Sequence, residues 1–231
     1  NHKRNIALVY FPDYLLEIPN KYNVNIDLSN KIAVVTGAAQ GFGYAIAKRF
    51  VSSGAKVILI DKDPEAISTA LKKNEINFVD NFQVDITNFN EVIKIIKEII
   101  DRYNKIDIFV NNAGIAPIAD IETTTTEVWR QTLAVHLDGT FFGCQTALGL
   151  MKESGGGSIV NMSSTAALIG IPDYLAYSAA KGGIRSMTKA IAVHCRRQKL
   201  RIRCNSVHPG SINTPMVQNA VKDLMNIDLD P

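Results

Sequence analysis

Tyr177 and Lys181 stand four positions apart in the run Ala176-Tyr177-Ser178-Ala179-Ala180-Lys181, with Ser164 a short way upstream. A phenol, an ammonium and a hydroxyl in this order suit proton transfer. On a helix, positions i and i+4 share a face, so the Lys181 ammonium can lie close to the Tyr177 phenol. An isolated tyrosine has a pKa of about 10 and is a poor base at neutral pH, whereas a nearby cation favours the phenolate and lowers that value. A tyrosine tuned in this way can serve as acid or base near neutrality. The same spacing also arises on solvated surface helices, so its meaning depends on what positions it.

From residue 31 onward, short β-branched runs alternate with longer amphipathic segments. Ile32-Ala33-Val34-Val35 reads as a strand, followed by a glycine turn and a helix from about Gly41 to Ser53, then a strand from Lys56 to Ile60. Pro64 suits the first turn of a helix running to about Asn74, and Phe78 to Val84 reads as the third strand. Phe89 to Tyr103 carries apolar residues at 92, 95, 96, 99 and 100, the stripe of an amphipathic helix. Ile106 to Val110 is a buried strand, and one long helix is expected from about Thr126 to Lys152. Ser158 to Met162 is the fifth strand, the helix bearing Tyr177 should run from about Tyr174 to Cys195, and Ile202 to Val207 is the sixth strand. This alternation implies one α/β domain, a parallel sheet covered by helices on both faces and doubly wound in the Rossmann manner. Residues 1–30 break the rhythm with Pro12, Pro19 and an aromatic-rich stretch, and read as an appendage to a domain spanning 31–231.

The run Thr36-Gly37-Ala38-Ala39-Gln40-Gly41-Phe42-Gly43 falls where the first strand meets the first helix. Glycine permits a tight turn and close approach of backbone to ligand, and free N–H groups at a helix start attract pyrophosphate. The spacing Gly-x-x-x-Gly-x-Gly departs from the Gly-x-Gly-x-x-Gly fingerprint. Its context supplies the missing support: Asp61 ends the second strand, where a carboxylate can accept hydrogen bonds from adenosine ribose hydroxyls and would repel a 2′-phosphate. NAD is therefore expected over NADP, with the adjacent Lys62 softening the choice. Asp85 after the third strand and Asn111-Asn112-Ala113-Gly114 after the fourth lie at carboxyl ends of strands, where such a sheet binds its ligand.

In this order and spacing, Thr36-Gly37-x-x-x-Gly41-x-Gly43, Asn111-Asn112-Ala113-Gly114, Ser164, Tyr177-x-x-x-Lys181 and Pro209-Gly210 resemble the short-chain dehydrogenase/reductase family from about Asn30 to Met216. The resemblance implies the strand order 3-2-1-4-5-6 and hydride transfer between NAD(H) and a secondary alcohol or ketone. It implies that Tyr177 is the general acid/base, that Ser164 hydrogen-bonds the substrate oxygen, and that Lys181 lowers the tyrosine pKa and binds the nicotinamide ribose. It places Gly37, Gln40, Gly41, Phe42 and Gly43 at the dinucleotide turn and Asp61 at the ribose. Asp85 and Ile86 would flank the adenine, Asn112 would contact the adjacent ribose beside Gly114, and Pro209, Gly210, Ile212 and Thr214 would hold the nicotinamide end. The stretches 192–198 and 205–209 resemble bacterial hydroxysteroid and cyclic-alcohol dehydrogenases more than acyl-carrier reductases. A homotetramer or homodimer packed through two long helices is a further implication.

Two positions depart from the family. Where its members usually carry an asparagine that helps relay protons from the lysine, Val135-His136-Leu137-Asp138-Gly139 has His136. Three readings stay open: a relay group in place of asparagine, a packing residue, or the mark of an impaired enzyme. The presence of Ser164, Tyr177 and Lys181 favours retained activity. The family also continues past Thr214-Pro215-Met216 through a substrate-covering segment and a further strand, so the domain is expected to be C-terminally short, without its usual last strand. These departures keep a second function in view, an NAD(H)-binding sensor or scaffold of the same fold with impaired catalysis.

With 46% hydrophobic and 20% charged residues among 231, the chain has the make-up of an ordinary globular domain. Its net charge of +3 does not argue for nucleic acid, and the cluster Arg196, Arg197, Lys199, Arg201 and Arg203 suits a helix end. Cys144, Cys195 and Cys204 are odd in number and lack metal-ligand spacing, as expected of reduced thiols in a cytoplasmic protein. The four histidines have no ligand partners at suitable spacing, so no metal is expected. No apolar stretch reaches the roughly 18 residues of a membrane span. Lys3 and Arg4 precede an apolar run that Pro12 and Asp13 end too early for a signal peptide, and the opening Asn1 in place of Met is expected to mean that some leader has been removed or lies outside this sequence. The expected partner is a small alcohol or ketone, with no nucleic acid and no membrane.

Overall fold

A computed structural model describes residues 26–73 and 76–218. Six strands form one wholly parallel sheet: β1 (Ile32–Thr36), β2 (Lys56–Asp61), β3 (Asp80–Gln83), β4 (Ile108–Asn111), β5 (Gly157–Met162) and β6 (Ile202–Val207). Their order is β3-β2-β1-β4-β5-β6. Each crossover carries helix, and the helices are α1 (Gly41–Ser52), α2 (Pro64–Lys72), α3 (Phe89–Tyr103), α4 (Thr126–Leu133), α5 (Gly139–Glu153) and α6 (Leu175–Arg197).

Successive residues of a strand point to opposite faces, and β1 is apolar on both. Ile32 and Val34 pack with Val92, Ile96 and Ile99 of α3 and with Ala147 and Met151 of α5. Ala33 and Val35 pack on the other face with Ala47 of α1 and Ile67 and Ala70 of α2. That is why the central strands read as continuous β-branched runs rather than alternating ones. α3 shows the local rules plainly. The Asn88 side chain caps its first turn by accepting from Glu91 N–H and donates to the Glu91 carboxylate, while Asn104 closes the helix in the left-handed region at φ 62°.

The middle of the sheet carries one polar pair. Asn111 of β4 stands opposite Asn161 of β5, and its amide donates to the Asn161 side-chain oxygen at 2.9 Å. The Asn161 amide in turn donates to Thr188 Oγ1 of α6 at 2.9 Å, so these buried groups satisfy one another.

The single helix expected from Thr126 to Lys152 is interrupted by a π-helical turn, Ala134–Asp138, between α4 and α5. The wide turn carries His136, which is 1% exposed and bonded to the backbone at Ile115, a contact between distant segments that helical periodicity does not report. β3 is also shorter than the run Phe78 to Val84 suggests, as befits an edge strand. Most of the N-terminal appendage and the chain after residue 218 lie outside the described residues. Leu28, at the appendage's inner end, already packs on the core, with its N–H donating to Ser53 O at 2.7 Å.

Candidate active site

β1 and β4 are neighbours although β2 and β3 intervene in the chain, so the sheet has its switch point between their carboxyl ends. A cleft of about 600 Å³ opens there. On one side is the glycine turn. Gly37 has φ 61°, and a Cβ on it would lie 2.8 Å from Ala113 Cα; a Cβ on Gly43 would lie 2.1 Å from Gly37 O. Side chains at these two positions would fill the cradle or push its walls apart. The amide of Asn112 donates to Thr36 O at 3.0 Å and Gly37 O at 3.1 Å, and Thr36 Oγ1 accepts from Asn112 N–H. The fourth strand's exit thereby braces the turn. At the end of β2, Asp61 accepts from Ala39 N–H at 3.1 Å and Asp63 N–H at 3.2 Å, which holds its carboxylate beside the turn.

The other end of the cleft, with Ser164, Tyr177 and Lys181, is built by β5 and α6. Ser164 follows β5 and caps a short 3₁₀ turn, its hydroxyl oxygen accepting from Ala166 N–H at 3.1 Å. α6 is bolted to the same segment: Ser163 Oγ donates to Lys181 O at 2.9 Å, and Lys181 Nζ donates to Met162 O at 2.6 Å. The four-residue spacing does bring the ammonium to Tyr177, but over the ring, 5.4 Å from its centroid. Burial of Lys181 lowers its pKa to about 7. Burial also raises the Tyr177 phenol above its ordinary value, with the Ser164 hydroxyl opposing that rise. In the protein alone, desolvation therefore outweighs the tuning expected from Lys181, and the phenol holds its proton at neutral pH.

His136 packs edge-on against the Tyr177 ring, centroids 5.2 Å apart at 88°. Its Nε2 is 2.6 Å from Ile115 O and 3.2 Å from Ile115 N. A carbonyl oxygen only accepts, so the shorter contact requires the proton on Nε2, and that nitrogen then cannot accept from Ile115 N–H. Nδ1 is a buried acceptor without a partner among the described residues. The ring also explains Gly114, where a Cβ would come within 2.5 Å of His136 Cε1. Burial first, and the Lys181 charge second, lower the His136 pKa to about 3, against the opposing backbone bond at Ile115. The imidazole is neutral at working pH.

This has a consequence for acid stability. An unfolded chain protonates His136 near its ordinary value of about 6.5, while the folded protein refuses the proton until about 3. Stability is thus lost as pH falls through this window, by about 1.4 kcal/mol per pH unit. His136→Asn removes the titration and offers an amide able both to donate to Ile115 O and to accept from Ile115 N–H. Urea unfolding should show the variant gaining about 2 kcal/mol on the parent between pH 7 and pH 5. An unchanged difference at the two pH values would refute the neutral, buried imidazole.

The cleft is lined by Gly37, Gln40, Gly41, Phe42, Asp61, Asp85, Ile86, Asn112, Gly114 and His136, and by Ser164, Tyr177, Lys181, Pro209, Gly210, Ile212 and Thr214. Gly43 lies behind the lining, against Gly37. Asp85 accepts from Thr87 N–H and from its hydroxyl, which fixes the loop after β3. Sequence reasoning missed the wall formed by Ile115, Ala116 and Pro117, whose only signal was its position directly after Gly114. Among the described residues there is no group of three side chains able to hold a metal ion and no helix long and apolar enough to cross a membrane.

The profile of the short chain dehydrogenase family matches residues 31–225. An NADP-dependent (R)-specific alcohol dehydrogenase of Lentilactobacillus kefiri is 40% identical over 197 residues, covering 83% of this chain and 77% of its own. An NAD-dependent glycerol dehydrogenase of Listeria innocua is 35% identical over 199 residues, covering 86% and 77%. The ligand-free structure of Thermoplasma acidophilum aldohexose dehydrogenase superposes with a TM-score of 0.79 at 35% identity, covering 88% of this chain and 75% of that one. Together with the parallel sheet and the residues gathered in its cleft, these matches show that the chain belongs to the short-chain dehydrogenase family of nicotinamide-dependent oxidoreductases.

Proposed function

We propose that the protein is an NAD(H)-dependent oxidoreductase of secondary alcohols and their ketones, cyclic ones included, with Tyr177 as its general acid/base. The observation that carries this reading is the meeting of Ser164, Tyr177 and the buried Lys181 at one end of a cleft whose other end is the glycine turn and Asp61. NAD(H) suits the cleft because Gly37, Gln40, Gly41 and Phe42 line it where α1 begins, a helix start suited to a pyrophosphate, and because the Asp61 carboxylate stands ready for ribose hydroxyls. When bound, the dinucleotide supplies the hydride acceptor or donor.

The chain's own residues do the rest. Tyr177 takes the proton of the carbinol hydroxyl during oxidation and returns it to the carbonyl oxygen during reduction. The Ser164 hydroxyl donates to that oxygen while negative charge builds on it. Up to about neutral pH, where its own pKa lies, Lys181 holds a positive charge across the ring, which favours phenolate when oxidation demands it. The charged side chains facing the cleft are Asp61, Lys62, Asp63 and Asp85 near the turn and Lys181 at the chemical end, whereas Ile115, Pro117, Ile212, Met216 and Val217 are apolar. That lining favours a neutral, largely apolar alcohol.

The test is a panel of alcohols and ketones, cyclohexanol and cyclohexanone among them, assayed with NAD(H) and NADP(H) by the absorbance of reduced nicotinamide. Turnover is expected with NAD(H) in preference to NADP(H), and silence across the panel would defeat the reading. Asp61→Asn keeps the side-chain shape and removes the charge. Two charges about 5 Å apart at an effective dielectric near 20 repel by about 3 kcal/mol. The NADP-to-NAD ratio of kcat/KM should therefore rise about a hundredfold in this variant. A ratio unmoved by the substitution would mean that Asp61 does not face the 2′ position.

A further inference from the structure

Ser164 is held from behind as well as from the cleft. Its segment is tied to the end of β6 by two backbone bonds, Ser163 N–H to Val207 O at 2.9 Å and Thr165 N–H to Pro209 O at 3.0 Å. Both run in the same direction, from the serine segment to β6. Pro209 has no N–H to return. The donor that does return is a side chain: His208 Nδ1 lies 3.1 Å from Ser164 O. On its other edge, His208 Nε2 lies 3.0 Å from Ser206 Oγ. A carbonyl can only accept, so Nδ1 carries the proton, and Nε2 then accepts from the Ser206 hydroxyl, which has one to give. Ser206 thus selects the ring tautomer that Ser164 requires.

We propose that His208 is a positioning residue for Ser164, its imidazole fixing the serine's carbonyl and through it the aim of the serine hydroxyl toward Tyr177. The proposal rests on the reading of Ser164 as donor to the substrate oxygen. His208 is not among the residues that line the cleft. Its effect is therefore geometric. Backbone bonds hold the chain at 163 and 165, and the ring holds the peptide group between them. A reacting group displaced by about 1 Å loses on the order of a hundredfold in rate.

Two polar substitutions separate this role from mere packing. The amide of His208→Asn falls near the place of Nδ1 and can donate to Ser164 O; that of His208→Gln falls near Nε2, keeps Ser206 and loses Ser164. With the fastest alcohol of the panel and NAD⁺, His208→Gln should lower kcat by about 10- to 100-fold, with KM and the NADH dissociation constant within threefold. His208→Asn should recover most of the loss. In a Ser164→Ala background, His208→Gln should cost less than twofold further, since the hydroxyl it aims is gone. Equal activity of the two variants, or an undiminished effect of His208→Gln without the Ser164 hydroxyl, overturns the proposal. Nitrogen-15 spectra of the parent protein supply an arm that needs no turnover: His208 should be protonated on Nδ1 and bare on Nε2, and the opposite tautomer overturns the proposal. Wild-type turnover by Ser164→Ala alone would instead remove the reading on which the proposal rests, whatever His208 does.

Discussion

Tyr177→Phe should lower turnover by roughly 10²- to 10⁴-fold while leaving NADH affinity within twofold. The range is that of a positioned general acid or base, and the substitution removes that group alone. The ring stays, and with it the edge contact to His136 and the face under Lys181. The phenol lies above its ordinary pKa because burial disfavours the phenolate, so in the protein alone it is poised as an acid, the form that ketone reduction consumes. Oxidation needs the conjugate base. In the parent protein, then, oxidation should climb with pH toward the phenol's pKa, and reduction should fall as the proton is lost. The residual rate of Tyr177→Phe should show neither limb. A phenylalanine variant that keeps its turnover with any accepted alcohol would eliminate Tyr177 as the proton-transfer group.

Lys181→Met carries the second large effect, and it acts on both rate and stability. Below about pH 7, where the parent's ammonium is still charged, turnover should fall by about a hundredfold, because the phenolate loses the cation across its ring. Stability should move the other way under most conditions. The ammonium is buried and its pKa is lowered to about 7, while an unfolded chain protonates it near 10.4. Below pH 7 both states hold the proton and the folded protein bears the full cost of the buried charge. Between pH 7 and 10.4 only the unfolded state holds it, so the parent gains about 1.4 kcal/mol on the methionine variant for each pH unit. Denaturant unfolding at pH 6, 8 and 9.5 should show a difference constant below neutrality and closing above it. The lost bond to Met162 O shifts all three values alike and leaves the slope as the test. A pH-independent difference would mean that Lys181 keeps its ordinary basicity in the fold.

What could be read from the sequence was whatever a single element encodes. The stripe at 92, 96 and 99 lies within α3, and those residues face the core. The glycine turn and Asp61 each sit at the end of one strand, and the Tyr177–Lys181 spacing belongs to one helix; the fold collects them in a single cleft. What escaped was set by contacts between elements. The π-helical turn carries His136 to its bond with Ile115 on a distant segment, and no periodicity marks it in advance. The partner of Lys181 is the Met162 carbonyl, which the i+4 rule cannot see because it lies on another element. Nor could spacing tell that burial would dominate the titration of Tyr177 and Lys181, since desolvation depends on everything packed around them.

The asparagine pair at the centre of the sheet bears on fidelity of assembly. A run of apolar, β-branched residues in neighbouring parallel strands discriminates poorly between alignments, because a slipped neighbour is nearly as good a partner. Asn111 against Asn161 breaks that degeneracy. A shift of β5 by one residue would set Asn161 beside Val110 or bring Val160 or Met162 to Asn111, stranding two buried amides at about 1–3 kcal/mol each. The cost falls on every mispaired alignment and not on the native one. Since Met162, Ser163 and Ser164 follow directly from β5, the same pair decides which carbonyl the Lys181 ammonium finds and which hydroxyl faces Tyr177. Two amides outside the cleft thus act as proofreaders of its construction, admitting only the strand alignment that brings Ser164, Tyr177 and Lys181 together.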